Sequence, residues 1–542
     1  MTNRSLFKIL LRGEFIFPFL LFVCLWLYIF LSTKIFQEGF NYFLDDYQIF
    51  ISHSDKLDLN NIFIEPFTSL LPSNETKTRL KPLDDVLRRL FSEIYGLNPF
   101  LWYLSSFIIA VATTTNFYIF ARLQSFPVLE SICFSMLMVF GDQAWTYARF
   151  GTAETTATFF TSLAFIFASL SSNKNSKKNI ILDCLFFIFA ILTALNKEAF
   201  LLMLPALAFL KVWVFSQKYE ISLYKSFLAN KYIVSLILTI FLLIVAYIKL
   251  GGFVGMGYAG IDENTFAISN ISRLFKTLIN KTSFGLAIIL NVIYFILCFL
   301  RLKNNQGNRL NFGFYILSSL MIIPQLILYS KSDMVDHYLL PCVIGVSFFT
   351  IYPLVEIQKQ FSKYFVILNL FVLVIIYNNI VSTHGYFKYT SNDLNNLKGM
   401  VQDISSCLKP NTQLIIFANP YIHYERLYGF KTAIIDKVLE LKKDDVVLAT
   451  YGHSNSNLKS DVFKEDEKAW SFLKPGDLEI SYNHRTIKTV DPSQLKNTQV
   501  VVILGFHKFE NDFRKLTSDW LDIHQFNYKY HSELDIGIYC KK

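Results

Sequence analysis

The chain has 542 residues, 53% of them apolar, with 55 phenylalanines and a net charge of +9, and its mean hydropathy is +0.37. A soluble protein of this length rarely has such a composition, so an ordinary globular enzyme is excluded and repeated membrane crossing is expected. The excess positive charge falls largely in short loops between apolar runs, which is a topology pattern and gives no nucleic-acid signature.

Apolar runs recur at Phe15 to Ile35, Phe100 to Ala121, Val128 to Phe140, Thr155 to Leu170, Ile180 to Leu195 and Phe200 to Phe215. They continue at Ile233 to Leu250, Phe284 to Leu300, Phe312 to Tyr329, Tyr338 to Pro353 and Tyr364 to Val381. A helix needs roughly 20 residues to cross the hydrocarbon core, so the pattern predicts about eleven transmembrane helices, with Val128 to Phe140 short enough to be re-entrant. The first run is too long for a cleaved signal and is expected to remain as an anchor.

Basic residues collect in alternate loops. Arg4, Lys8 and Arg12 precede the first run, and Arg122, Lys174, Lys218, Arg301 and Lys359 mark later loops of the same parity. The intervening short loops carry little beyond Arg149, Lys197 and Lys331. The positive-inside rule then makes the N-terminus cytoplasmic. The loops at 36–98, 142–154, 196–198, 251–283 and 330–337, and the whole C-terminal tail, are expected on the outer side of a plasma or inner membrane.

Within the long loop 36–98, Leu83, Val86, Leu87, Leu90, Phe91 and Ile94 recur at helical spacing. Asp84, Asp85, Arg88, Arg89 and Glu93 fall on the other face, with i,i+4 ion pairs expected at Asp84–Arg88 and Asp85–Arg89. This predicts an amphipathic helix at the membrane interface, ended by Asn98-Pro99.

From about residue 382 the spanning runs stop. Short β-type runs follow at Gln413 to Phe417, Val446 to Thr450, Gln499 to Leu504 and Leu534 to Tyr539, with helical candidates at Pro420 to Leu427 and Asn511 to Ile523. The prediction is a membrane domain over 1–381 and an extracytoplasmic α/β domain over 382–542. The tail has no Gly-rich phosphate loop, and His423, His453, His484, His507, His524 and His531 lack ligand spacing, so no metal site is assigned. Of seven cysteines, Cys407 and Cys540 lie in the tail, where an oxidising compartment would allow a disulfide.

The outer loops present carboxylates and cations together: Asp45-Asp46 after the first run, Lys81 and Asp84-Asp85, then Asp142, Arg149 and Glu154, Lys197-Glu198, and Asp336-His337-Tyr338. Such a mixture suits transfer of a sugar from a polyprenyl phosphate. The attacking hydroxyl must lose a proton to a carboxylate base, and the phosphate leaving group needs cations. Each group also has a plain structural reading. Adjacent acids in a loop are usually solvated, Lys197-Glu198 fits an ordinary turn, and His337 fits a hydrogen-bonded histidine. Glu154 opens an apolar run, where an acid usually faces a cavity or a partner.

These segments, in this order, resemble the GT-C-fold integral-membrane glycosyltransferases, in particular the protein O-mannosyltransferase and aminoarabinose-transferase-like branch. Leu44-Asp45-Asp46-Tyr47 resembles the acidic pair of the family's first outer loop. Lys81-Pro82-Leu83 with Ile94-Tyr95-Gly96-Leu97-Asn98-Pro99-Phe100 is similar to its R-P-L and (F/Y)-G-x-N-P segments. Asn196-Lys197-Glu198 is similar to its K-E turn, and Asp336-His337-Tyr338-Leu339-Leu340-Pro341 to its R-Y-x-x-P segment. The resemblance covers residues 1 to about 381. It implies a polyprenyl-phosphate-sugar donor, an inverting single displacement, Asp45 or Asp46 as base, and Lys81, Arg149, Glu154, Lys197, Glu198, His337 and Tyr338 around donor phosphate and substrate. It leaves a divalent metal open, since some members use one, and leaves the acceptor (glycan, lipid or protein) unspecified. The chain departs from the pattern at Lys81 and His337, where arginine is usual, and has Asp-Asp where Asp-Glu is common. A transporter or lipid flippase, and a non-catalytic relative acting as a scaffold, are the alternatives.

Overall fold

The computed structural model describes residues 13–41, 46, 49, 81–150, 152–172, 176–250, 268–303, 312–329, 338, 340–360 and 365–409, and in the tail 413–417, 430, 446–449, 479–482, 485–488, 498–504, 526–531, 534 and 536–542. Helices dominate. They are α1 (Gly13–Ser32), α2 (Pro82–Tyr95), α3 (Pro99–Leu123), α4 (Val128–Val139), α5 (Ala153–Leu170), α6 (Ser176–Asn196), α7 (Glu198–Leu201) and α8 (Leu204–Tyr219). They continue as α9 (Leu223–Leu250), α10 (Ile268–Lys281), α11 (Phe284–Lys303), α12 (Phe312–Leu328), α13 (Leu340–Gln360) and α14 (Phe365–Cys407).

Each apolar run lies on helix over most of its described residues. Seven segments among the described residues are long and apolar enough to cross a membrane: Glu14–Ser32, Pro99–Leu123, Ala153–Leu170, Glu198–Tyr219, Leu223–Ile248, Leu340–Lys359 and Leu368–Cys407. An eighth results if Ser272–Lys281 and Phe284–Phe299, bent by 89°, count as one span. Val128–Val139, Ile180–Asn196 and Phe312–Leu328 are apolar but shorter. At 1.5 Å per residue, the 12 residues of Val128–Val139 and the 17 of Phe312–Leu328 reach only about 18 and 26 Å, against a core of about 30 Å, whereas Ile180–Asn196 is the apolar part of the 21-residue α6. That difference separates eleven apolar helices from seven or eight of spanning length.

Aromatic packing locks the bundle. Trp26 stacks on Phe140 at 4.6 Å and meets Tyr147 edge-on at 5.3 Å, while its indole N–H donates to Thr114 Oγ1 at 3.1 Å. The buried indole thereby satisfies its single donor inside an apolar surround. Gly345 lets α13 close on α12: an added Cβ would lie 2.8 Å from the side chains of Ile322 and Met321 and 2.9 Å from the Ser318 carbonyl oxygen. Small residues at such contacts allow helix backbones to approach closely.

The last helix is longer than the apolar run predicts. α14 has 43 residues, about 65 Å at the usual rise, and the expected boundary at residue 382 falls inside it. Beyond Val381 the helix becomes amphipathic, and Leu394, Leu397, Met400 and Ile404 are buried at helical spacing. This stripe joins the apolar core of the tail, which keeps the helix intact after the lipid-facing sequence ends.

The tail contains a mixed five-stranded sheet in the order β2-β1-β5-β7-β6. β1 (Gln413–Phe417), β2 (Val446–Ala449) and β5 (Thr498–Leu504) run parallel, while β7 (Ile536–Lys541) is antiparallel to β5 and β6 (Phe526–His531). β3 (Glu479–Tyr482) and β4 (Arg485–Lys488) form a separate antiparallel pair. The apolar strands β1 and β5 match their expected positions closely. β3, β4 and β6 have too few apolar residues to announce themselves. The helices expected at 420–427 and 511–523 lie outside the described residues. A disulfide joins Cys407 to Cys540 with Cα atoms 5.7 Å apart, and Asp403 pairs with Lys529 and with His531, 3.2 Å away. Together these fasten the end of α14 to the sheet.

Candidate functional site

The polar residues of the expected outer loops meet at one end of the bundle. Asp46 is buried, and both carboxylate oxygens accept backbone N–H groups: Oδ2 from Asn41 at 2.7 Å and Oδ1 from Phe150 at 2.9 Å. Asp46 therefore ties the first loop to the segment that enters α5. Asp45, its neighbour in the expected acidic pair, lies outside the described residues, as does His337.

That α5-entering segment is shaped by hydroxyls and an aromatic ring. A 3-10 helix runs over Asp142–Ala148. Thr146, Thr152 and Thr155 connect their hydroxyls at 2.8 to 3.2 Å, closing the turn between the 3-10 helix and α5. The Arg149 guanidinium sits 4.3 Å above the Trp145 ring, a favourable cation–aromatic contact. Trp145 in turn donates its indole N–H to Thr390 Oγ1 of α14 at 2.9 Å. Elsewhere on α14, the Ser382 hydroxyl donates to Asp142 at 2.5 Å, and Ser391 and Asn395 donate to Glu38 at 3.0 and 3.1 Å. Glu38 is buried yet gives no signal in the sequence, because a lone acid in a polar loop resembles a solvated one.

Glu154 opens α5 and forms a buried ion pair with Lys197, which precedes α7. The Lys197 ammonium also lies 4.6 Å over the Tyr338 ring, and Tyr338 packs on Tyr329 with centroids 5.0 Å apart. Glu198 is half-buried at the first position of α7. The Lys-Glu turn thus has a stronger structural role than a plain loop: it neutralises an acid that α5 carries into the bundle.

The amphipathic helix α2 buries part of its polar face. Asp84, Arg88 and Ser92, from its polar face, are buried, whereas Ile94 is 62% exposed. Arg88 pairs with Asp84, and Asp85 lies 3.7 Å from Arg88 and 3.8 Å from Lys81. Lys81 is 3.5 Å from Asp84. Burial pushes the Asp84 carboxyl above its ordinary range, with Arg88 and Lys81 drawing it back down and the Asp85 and Glu154 charges raising it. Glu154 is close enough to contribute to that field, which links α2 to the Glu154–Lys197 pair. The charged face points inward because i,i+4 ion pairing lets it enter at a lower desolvation cost.

Of the expected site residues, Asp46 joins Arg149's segment through Phe150, Glu154 joins Lys197 and Tyr338, and Lys81 joins the Asp84 cluster. Among the described residues no group of three His, Cys, Asp or Glu side chains could hold a metal ion. Asp46 already accepts two backbone N–H groups, and Glu154 and Asp84 already face cations.

A second polar cluster occupies the opposite end. Lys211, fully buried in α8, donates to Ser171 Oγ at 2.5 Å and pairs with Asp183 at 2.8 Å. Arg122 pairs with Glu14. Lys211 is masked in the sequence by its apolar neighbours Leu210 and Val212.

No family model and no curated protein sequence matches the chain. Among solved structures, ArnT from Cupriavidus metallidurans bound to undecaprenyl phosphate is similar over 96% of this chain and 97% of that chain, with 11% identity and a TM-score of 0.46. The same protein in the apo state has equal coverage, 10% identity and a TM-score of 0.47. At those values the likeness carries no residue role to this chain.

Proposed function

We propose that this chain is a membrane glycosyltransferase that moves a sugar from a polyprenyl-phosphate donor to an acceptor hydroxyl at the outer face of the membrane. The observation that carries the reading is the convergence, at one end of an apolar helix bundle, of acids and bases from five separate segments: Asp46, the Lys81–Asp84–Arg88 cluster, Arg149, Glu154–Lys197 and Tyr338. Burying that many charges is costly unless they are paired or used. The position also lets a lipid tail stay among the helices while its headgroup reaches water.

In this reading the acceptor hydroxyl attacks the anomeric carbon while a carboxylate takes its proton. The bond from that carbon to the phosphate oxygen breaks, the electron pair leaves with the phosphate, and the configuration inverts. Asp45 is assigned as base and Asp46 as the residue that positions the loop, because the oxygens of Asp46 already accept two backbone donors. Arg149 and Lys81 are assigned to the phosphate. Lys197, held by Glu154 and by the Tyr338 ring, orients that surface, and Glu198 and His337 complete the substrate side.

The orientation that places this end outside rests on the distribution of loop charge. The Cys407–Cys540 disulfide supports it, since such bonds persist in oxidising compartments. The tail, fastened to α14, would then meet the acceptor or an assembly partner.

The test is release and transfer of sugar from a panel of radiolabelled polyprenyl-phosphate sugars by the purified protein in lipid. Asp45→Asn is expected to abolish transfer at unchanged thermal stability, and Asp46→Asn to lower both. Full turnover in Asp45→Asn would end the base assignment, and no donor binding by the wild type would end the enzyme reading. The pairing of buried Lys211 with half-buried Asp183 favours a transporter. Solute flux abolished by Lys211→Met and indifferent to Asp45→Asn would carry that alternative.

A further inference from the structure

The helix α10 (Ile268–Lys281) is amphipathic, and it meets the apolar helix α11 at 89°. If α11 runs across the bilayer, α10 lies in its plane. A re-entrant path for α10 is disfavoured by Arg273, Lys276 and Lys281, three cations on a 14-residue helix.

The corner is fixed rather than hinged. The Thr282 hydroxyl donates to the Leu278 carbonyl at 2.5 Å and accepts from the Phe284 N–H at 3.2 Å. Lys281 lies 3.5 Å from Asp142, the residue that Ser382 of α14 also holds. Leu274 and Leu278 are buried against the bundle. With one side so committed, the rotation of the helix is set. Phe275 and Ile279 are left 44% and 49% exposed, at i and i+4 on one strip. Lys276 and Arg273 follow on the adjacent, exposed arc.

We propose that this surface of α10 binds the anionic headgroups of the surrounding membrane. Phe275 and Ile279 enter the boundary between headgroups and acyl chains, and Lys276 and Arg273 contact lipid phosphates. The order of surfaces around the helix (buried, apolar and exposed, basic and exposed) is the order an in-plane helix needs to meet protein, acyl chains and headgroups in turn. The occupant is argued from charge complementarity: two exposed cations beside an exposed apolar strip match an anionic lipid, with basic residues near such a surface each favouring it about fivefold. This inference does not depend on the chemistry proposed above.

The experiment places the photoreactive analogue p-benzoylphenylalanine at Phe275 in the full-length protein. The protein is reconstituted in vesicles of nine parts phosphatidylcholine to one part phosphatidylglycerol, and the cross-linked species are identified by mass. Lipid adducts are expected, with the ratio of phosphatidylglycerol to phosphatidylcholine adducts raised on the order of tenfold over the bulk ratio. In the Arg273→Gln/Lys276→Gln background, helix-compatible substitutions on an exposed face, the adduct ratio is expected to return to the bulk ratio while lipid cross-linking persists. An absence of lipid adducts would overturn the proposal. So would cross-linking to a second copy of the chain, or wild-type adducts at the bulk ratio.

Discussion

The Glu154–Lys197 pair is where removal of a single charge should be felt most. Both side chains are almost fully buried, at 2% and 5% exposure, so neither charge can be rehydrated if its partner is lost. Lys197→Met leaves the buried Glu154 carboxylate without its ammonium and removes the contact with the Tyr338 ring. Breaking a buried pair in this way costs about 3–5 kcal/mol, and a desolvated cation–aromatic contact adds about 1 kcal/mol. Glu154→Gln strands the ammonium, though the ring still faces it, so its cost should fall at the lower end of that range. The double variant Glu154→Gln/Lys197→Met buries two neutral chains of similar volume and should recover most of the loss. A double-mutant cycle in mixed micelles, titrated with SDS and followed through the six tryptophans, reads the coupling directly. The expected coupling is at least about 2 kcal/mol, well beyond the few tenths by which independent sites depart from additivity. Additive single-variant effects would refute the claim that these residues pair inside the bundle.

Gly345→Ala should force α12 and α13 apart and destabilise the bundle by about 1–3 kcal/mol, seen as a lowered SDS midpoint, because its Cβ would stand 2.8 Å from Ile322 and Met321. Asp84 holds its proton more tightly folded than unfolded, because burial raises its carboxyl. Its contribution to stability is therefore present below the ordinary value of 3.8 and is lost as pH rises through the folded value. Asp84→Asn should remove that decline, and identical stability profiles of variant and wild type from mildly acidic to neutral pH would reject it. Reduction of Cys407–Cys540, which closes a separation of 133 residues, should loosen the tail by up to about 5 kcal/mol in the chain-entropy picture. Limited proteolysis with and without dithiothreitol would show faster loss of the tail in the reduced sample.

The helices were legible because membrane-facing sequence is nearly binary. Runs such as Phe100 to Ala121 contain no charge until their ends, and that run is a helix within a few residues of its predicted bounds, whereas the run from Ile233 belongs to a helix that starts ten residues earlier, at Leu223. The lengths were less legible, because α14 continues past Val381 on a stripe of Leu394, Leu397, Met400 and Ile404 that composition alone reads as the start of a new domain. Strands β1 and β5, QLIIF and TQVVVIL, announce themselves, whereas β6, FNYKYH, alternates polar residues on an exposed face and does not. The ordered segments around Lys81, Arg149, Glu154 and Lys197 were visible as motifs. Their partnerships were not, since Glu154 meets a lysine 43 positions away and Asp46 meets a backbone N–H 104 positions away. The inward turn of Asp84 and Arg88 was hidden for a related reason. A helical wheel shows which residues share a face, and only the neighbouring helices decide which face is covered.

The contacts made by α14 have a consequence for how the protein is assembled. Glu38 is held by Ser391 and Asn395, residues 353 and 357 positions later, and Trp145 is held by a residue 245 positions later. During synthesis the loops that carry the expected acids emerge long before the helix that holds them. Pairings this distant in sequence are slow to form and leave earlier segments exposed meanwhile. The polar end of the bundle therefore cannot settle until α14 has been made and packed. Chains halted before residue 382 would hold most of the apolar bundle without the α14 side chains that hold Glu38, Asp142 and Trp145.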